Sequence, residues 1–306
     1  MLANNNSALK NIAAIASVCT ALLLSLIKAA AVFYTGSLSV LSSMIDSLAD
    51  LISSLITYIA VRISDKPMTA HHRYGYGKAE AVSALLQAAF IAGSAAFILY
   101  DGIDRFVHPV TVQQTGFGIA IMIISLIITL LLIGLQQYVV KKTKSQAIKA
   151  DSAHYIVDVL SNLSVMISLV VVRYLHWHWF DIVIAGLIAI YLLINAFNLA
   201  GDALEEITDA EVDDEIKRHI IDLVCSVDGV KGYHDLRTRV SGIRMFVEIH
   251  LELDGKLSLY QTHEIADNAE NKIIAAYPTA QIIIHQDPYG LKENRLDHQI
   301  NGNCQL

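Results

Sequence analysis

The sequence predicts an α-helical membrane protein, six transmembrane helices followed by a cytoplasmic, ferredoxin-like α/β domain of αββαβ order. Three observations predict it. The 306 residues are 54% hydrophobic and only 17% charged, with positive mean hydropathy, a balance unlike that of a soluble enzyme. Six apolar stretches reach or approach the roughly 20 residues that cross a bilayer as helix. After residue 207 the text changes to interleaved apolar and polar positions. The expected division is a transmembrane domain over 1–207, a soluble domain over 208–290 and a disordered polar tail over 291–306.

In chain order the spans are read at about 11–34, 39–62, 80–107, 115–140, 146–172 and 179–200. The first has no small-residue cleavage site after a short apolar core, so it is read as a retained helix. Basic residues set the orientation. Lys10, the loop with Arg62, Lys66, Arg73 and Lys78, and the loop with Lys141, Lys142, Lys144 and Lys149 alternate with loops holding only Arg105 or Arg173. Placing the rich loops inside puts both termini in the cytoplasm. Residues 1–200 carry 12 Lys/Arg and 9 Asp/Glu, and the remainder carries 10 and 20, an acidic balance that argues against nucleic acid as a partner. Cys19, Cys225 and Cys304 form no CxxC pair and are read as lone buried thiols.

The soluble part begins with "DAEVDDEIKRHIIDLVCSV", which has acidic residues in its first turn and helical apolar spacing. "GVKGYHDLRTRVSG" and "IRMFVEIHLELDG" alternate as strands joined through Ser241-Gly242. "SLYQTHEIADNAENKIIAAYP" is helical again, and "AQIIIHQDP" is a strand stopped at Pro288. His285 and Asp287, two apart on that strand, share a face.

The chemistry lies in two intramembrane dyads. The second span holds Asp46 and Asp50, and the fifth holds His154 and Asp158. Each carboxylate at a helix centre costs roughly 2.5–3.5 kcal/mol, so something must offset the cost. Residues four apart lie on one helical face, and the two spans run antiparallel, which matches Asp46 in depth with Asp158 and Asp50 with His154. Three carboxylates and an imidazole facing one another make a four-ligand cage suited to Zn²⁺ and tolerant of other divalent first-row ions. Metal entry would expel protons from such ligands, so the cage suits exchange of a cation for protons. The competing reading is polar residues pairing between helices, and Lys28 and Glu80, near span ends, are read that way, as side chains reaching the interface.

With DxxxD on the second span, HxxxD on the fifth and a cytoplasmic αββαβ module, the chain resembles the cation diffusion facilitator family, nearest its bacterial zinc and ferrous-iron efflux branch. The resemblance runs from the first span to "IIIHQDP". It implies a homodimeric multi-pass protein of the bacterial inner membrane, embedded in lipid, that exchanges divalent metal for protons and needs no organic cofactor. It places the transport site on Asp46, Asp50, His154 and Asp158. "HDLRTR", "IHLELD", "TH" and "IIIHQDP" are similar to the family's cytoplasmic dinuclear site, implying His234, His250, His263, His285 and a bridging Asp287. A structural Zn²⁺ there would make the soluble module a regulatory and dimerisation domain. In the loop "DKPMTAHHRYGYGKAE" the family has a third site, but Thr69 stands where an Asp is expected and Tyr76 where a histidine is expected. Only His72 matches, with His71 as a stand-in, and a solvated basic turn is the competing reading. The resemblance also implies that Lys78 pairs with Asp209 to steady the dimer.

The function expected is export of Zn²⁺, with Fe²⁺ or Cd²⁺ as further cargo, against protons. The alternative is a membrane-bound metal sensor, which would not need ligands within the membrane. An enzyme is not expected: "HEIAD" at His263–Asp267 lacks the second histidine of HExxH.

Overall fold

The computed structural model describes residues 2–35, 38–107, 116–175, 180–291, 295 and 297. The chain divides into two compact units, Met1–Ile207 and Thr208–Leu306.

The first unit is six long helices: α1 (Leu2–Thr35), α2 (Leu38–Ser64), α3 (Ala79–Val107), α4 (Gly116–Thr143), α5 (Gln146–Leu175) and α6 (Phe180–Ile207). Five contain described segments long and apolar enough to cross a membrane: Asn6–Phe33, Met44–Ser64, Ala79–Tyr100, Ile123–Thr143 and Val183–Ile207. α5 is 30 residues long, about 45 Å at 1.5 Å per residue, and is the one that carries the HxxxD pair. Small residues explain the packing. Ala81, Ala84, Ala88 and Ala95 on α3 face Ala189, Ala196 and Ala203 on α6, and all are buried. Their spacing of three, four and seven puts each set on one stripe, where the absence of bulk lets two backbones approach closely. Large apolar side chains such as Phe97, Leu131 and Phe197 point outward, where a lipid solvent makes their exposure costless.

Two expectations about polar residues change here. Glu80 does not reach an interface: it is 2% exposed and accepts from Lys10 Nζ at 2.6 Å, with Lys10 itself 2% exposed. Asp65 lies 3.2 Å from the same ammonium, and Ser64 and Ser145 hydroxyls also donate to Glu80. The carboxylate is therefore tied to α1, α2 and the α4–α5 turn. Cys19 and Cys225 are free and exposed rather than buried, each on the outward side of its helix, and Cys304 lies outside the described residues.

The second unit is α7 (Asp214–Cys225), β1 (Gly232–Ser241), β2 (Arg244–Leu253), α8 (Leu259–Ala276) and β3 (Ala280–Pro288). β2 is central, antiparallel to β1 and parallel to β3. The turn between β1 and β2 needs Gly242 at φ +61°, a conformation that glycine adopts without strain. Strand alternation assigns the two faces. Val247, Ile249 and Leu251 of β2 are buried in one core with Ile220 and Val224 of α7 and Ala269 and Ile273 of α8. The next residues along, Glu248, His250 and Glu252, point to the opposite face. α8 opens with a capping box in which Ser258 and Gln261 satisfy each other's backbone N–H groups. Two residues of the segment read as a frayed tail are held: Arg295 Nη2 donates to Glu252 Oε1 at 2.5 Å, and Asp297 Oδ2 accepts from the Asp235 N–H at 2.9 Å.

Candidate metal centres

Among the described residues, two groups place three or more ligand-type side chains together: Asp50, His154 and Asp158 in the first unit, and His234, His250 and Asp287 in the second. In each group the ligand atoms lie within 4.8 Å of one another.

In the membrane group, α5 presents His154 and Asp158 one turn apart, and α2 supplies Asp50, whose Oδ1 is 3.2 Å from His154 Nε2. This is the depth match that antiparallel spans impose. His154 Nδ1 and Asp158 Oδ2 are buried with no hydrogen-bond partner among the described residues. Such atoms are costly in a low-dielectric interior, and both are lone-pair donors suited to a divalent cation. The donor set of two carboxylates and one imidazole, three protein ligands with a position left open, fits Zn²⁺ and related ions. Asp46 is not in this trio. It sits one turn away on α2, exposed, and lines a cavity of about 600 Å³ that also touches Asp50, His154 and Asp158.

Lys28 lines the same cavity, so it is not the interface-seeking side chain expected from its place near a span end. Its ammonium donates to Ser47 Oγ at 2.6 Å. The reason is helical phase: Lys28 follows Ala21, Leu24 and Ser25 on the buried stripe of α1, which faces α2.

Sequence reasoning also missed Asp151. It lies three residues before His154 on the same face of α5, fully buried, and accepts from Ser17 Oγ at 2.6 Å and Gln136 Nε2 at 2.7 Å. Beside it, Tyr155 and Ser54 share a hydroxyl contact of 2.8 Å, and Gln87 Nε2 donates to Thr57 Oγ1 at 3.1 Å. These bonds join five helices around the face that carries His154. The spacing 151, 154, 158 was the available signal.

In the second unit, sheet register brings the ligands together. His234 of β1 and His285 of β3 both pair with His250 of β2, so the three imidazoles form a row across the sheet. Ring centroids are 4.9 Å apart for His234 and His250 and 4.7 Å for His250 and His285. Asp287, two residues beyond His285, turns its carboxylate into the row: Oδ2 is 2.8 Å from His250 Nδ1 and 3.5 Å from His234 Nε2, and Oδ1 is 3.2 Å from His285 Nε2. One carboxylate thus touches three imidazoles. Glu252, which the sequence reading did not single out, has Oε1 3.3 Å from His234 Nδ1, and the same oxygen accepts from Arg295. His263 is not brought into the row. It is exposed on α8 with Asp267 Oδ2 3.5 Å away.

In the α2–α3 loop, His72 stacks on Tyr76 at 4.4 Å, and Tyr76 OH lies 3.1 Å from His72 Nδ1. Thr69 closes the turn through paired backbone bonds with His72, and His71 is exposed. The tyrosine occupies the histidine's ring nitrogen, and this loop is not among the convergent groups of the described residues. Lys78 Nζ donates to the Ile207 carbonyl at 3.0 Å, and in the other unit Asp209 Oδ2 lies 3.4 Å from Arg239 Nη1.

Comparison with known proteins agrees with this architecture. Residues 14–208 match the cation efflux transmembrane domain, and residues 212–289 match the cation efflux protein cytoplasmic domain. The chain is 42% identical to the cation-efflux pump FieF of Escherichia fergusonii over 276 residues, 90% of this chain and 92% of that one. It is similar to the same degree to the FieF pump of Citrobacter koseri, and 43% identical to that of Escherichia coli O127:H6 over the same shares. Matched over both units, the chain belongs to the cation efflux family, the cation diffusion facilitators, and is a multi-pass membrane transporter of metal cations.

Proposed function

We propose that the protein exports Zn²⁺, with Fe²⁺ and Cd²⁺ as further cargo, from the cytoplasm of a bacterial cell across its inner membrane in exchange for protons. The observation that carries this reading is the convergence of Asp50, His154 and Asp158 within 4.8 Å beside a cavity inside the membrane unit. Ligands must be deprotonated to hold a metal, so loading and unloading of this trio are linked to proton release and uptake. Asp46, one turn along α2 on the cavity wall, is the ligand nearest the open side and completes the set of four when the site closes.

The cavity runs from Asp50 and His154 toward Lys28 on α1, Phe97 on α3 and Ser125 on α4, the side away from the lysine-rich loops. With those loops in the cytoplasm, the site in this conformation faces the outer side, and the Asp151 network fills the inner side. Alternation between this state and an inward-open one moves the ion. In the soluble unit, His234, His250 and Asp287, with His285 alongside, would hold a resident zinc. That metal would join three strands, and it supports the unit's role in a homodimer.

The test is flux. Purified protein in liposomes under a pH gradient should move zinc with counterflow of protons, and Asp50→Ala should abolish both. Zinc flux that survives this substitution removes the trio from the mechanism, and zinc flux without proton counterflow removes the antiport.

A further inference from the structure

Lys28 is a cation built into the wall of a cavity that also contains a proposed cation site. Its Nζ is fixed by Ser47, and Ser25, one turn earlier on α1, donates its hydroxyl to the Ser47 carbonyl at 2.9 Å, so α1 is stapled to α2 next to Asp46 and Asp50. From there it lines the same cavity as Asp46, Asp50 and Asp158. A lysine inside a bilayer-thick layer is expensive and normally escapes to the headgroups. This one instead stays among three carboxylates.

We propose that Lys28 sets how tightly the transport site holds its ion, a fixed positive charge that makes the site neutral with a divalent cation bound. This rests on the reading of Asp50, His154 and Asp158 as the site that carries the cargo. The charge count is direct. Three ionised carboxylates, one ammonium and one divalent ion sum to zero, with His154 a neutral ligand. Without Lys28 a divalent ion leaves the cluster at minus one, and in a low-dielectric site the extra negative charge grips the ion harder. Lys28 therefore weakens the hold on the ion enough for it to leave.

The experiment uses the full chain in a His250→Ala background, so that zinc binding reports the membrane site. Zinc chloride titrations by calorimetry are paired with liposome flux against zinc concentration for wild-type Lys28, Lys28→Met, Lys28→Gln and Lys28→Arg. Removing the charge in Met or Gln should tighten zinc binding by at least about tenfold and slow saturated flux by a comparable factor. Lys28→Arg, which keeps the charge, should stay within about threefold of wild type in affinity. Met and Gln variants that bind zinc no more tightly than wild type overturn the proposal, as does an Arg variant that behaves like them. Should the wild type bind zinc at the membrane site yet move none, the transport reading fails while the binding comparison still decides the role of Lys28.

Discussion

The two metal-ligand clusters are built by different secondary structures, and this separates what each can do. In the membrane unit, Asp50 comes from one helix and His154 and Asp158 from another, with Oδ1 of Asp50 and Nε2 of His154 at 3.2 Å as their direct contact. A small rotation or slide of α5 against α2 opens that cluster without breaking a backbone hydrogen bond, because helix hydrogen bonds are internal. In the soluble unit, His234, His250 and His285 sit on three adjacent strands whose register is held by the ladder itself. Moving them apart means breaking the sheet. The first cluster is suited to handing on an ion and the second to keeping one.

Ligand choice follows the same division. The membrane trio has two carboxylates and one imidazole, and the sheet cluster has two buried or half-buried imidazoles and one carboxylate, with His285 as a third imidazole at its edge. The membrane trio is thus the harder donor set, and the sheet cluster the one richer in the imidazole that suits Zn²⁺.

The largest effect expected from breaking this contrast is at His154. His154→Ala should lower liposome zinc flux by at least about a hundredfold while leaving the zinc content of the soluble unit unchanged, as read by metal analysis. A variant that keeps its flux would make the helical cluster as dispensable as a surface site. His250→Ala should do the reverse, losing bound zinc equivalents in calorimetry while flux falls by less than about tenfold. Equal collapse of flux in both variants would erase the distinction between carrying and keeping. Smaller again, Glu252→Gln removes the negative charge beside His234 and should cost about tenfold in zinc affinity at the sheet cluster, with no change in flux at saturating zinc. Last, Ser258→Ala removes the α8 cap and should destabilise the soluble unit by about 1 kcal/mol in thermal unfolding, with zinc affinity unaltered.

Much of this architecture was legible in the chain. Hydropathy gave the helices, because backbone burial in lipid leaves no other spanning structure for such segments. The shared faces of Asp46 with Asp50 and of His154 with Asp158 follow from spacing alone. The order αββαβ could be read from alternation and turns, and the shared face of His285 and Asp287 from their separation by two. What spacing cannot supply is the partner across an interface. Lys28 and Glu80 look alike in sequence, each a charge near a span end. Only packing reveals that one faces a cavity and the other is locked to Lys10. Asp151 was hidden for the same reason, since its meaning depends on Ser17 and Gln136 from two other helices. Glu252 was passed over because a carboxylate on a strand reads as solvated until the neighbouring strand brings His234 against it.

The central claim is that one divalent ion binds between α2 and α5, and zinc X-ray absorption tests it most directly. With the sheet cluster disabled by His250→Ala, full-length protein loaded with one equivalent of zinc should show only nitrogen and oxygen ligands at about 2.0–2.2 Å, including a single imidazole. That imidazole signature should disappear in His154→Ala. Zinc that keeps it after this substitution, or a spectrum of water ligands alone in the parent protein, would contradict the account.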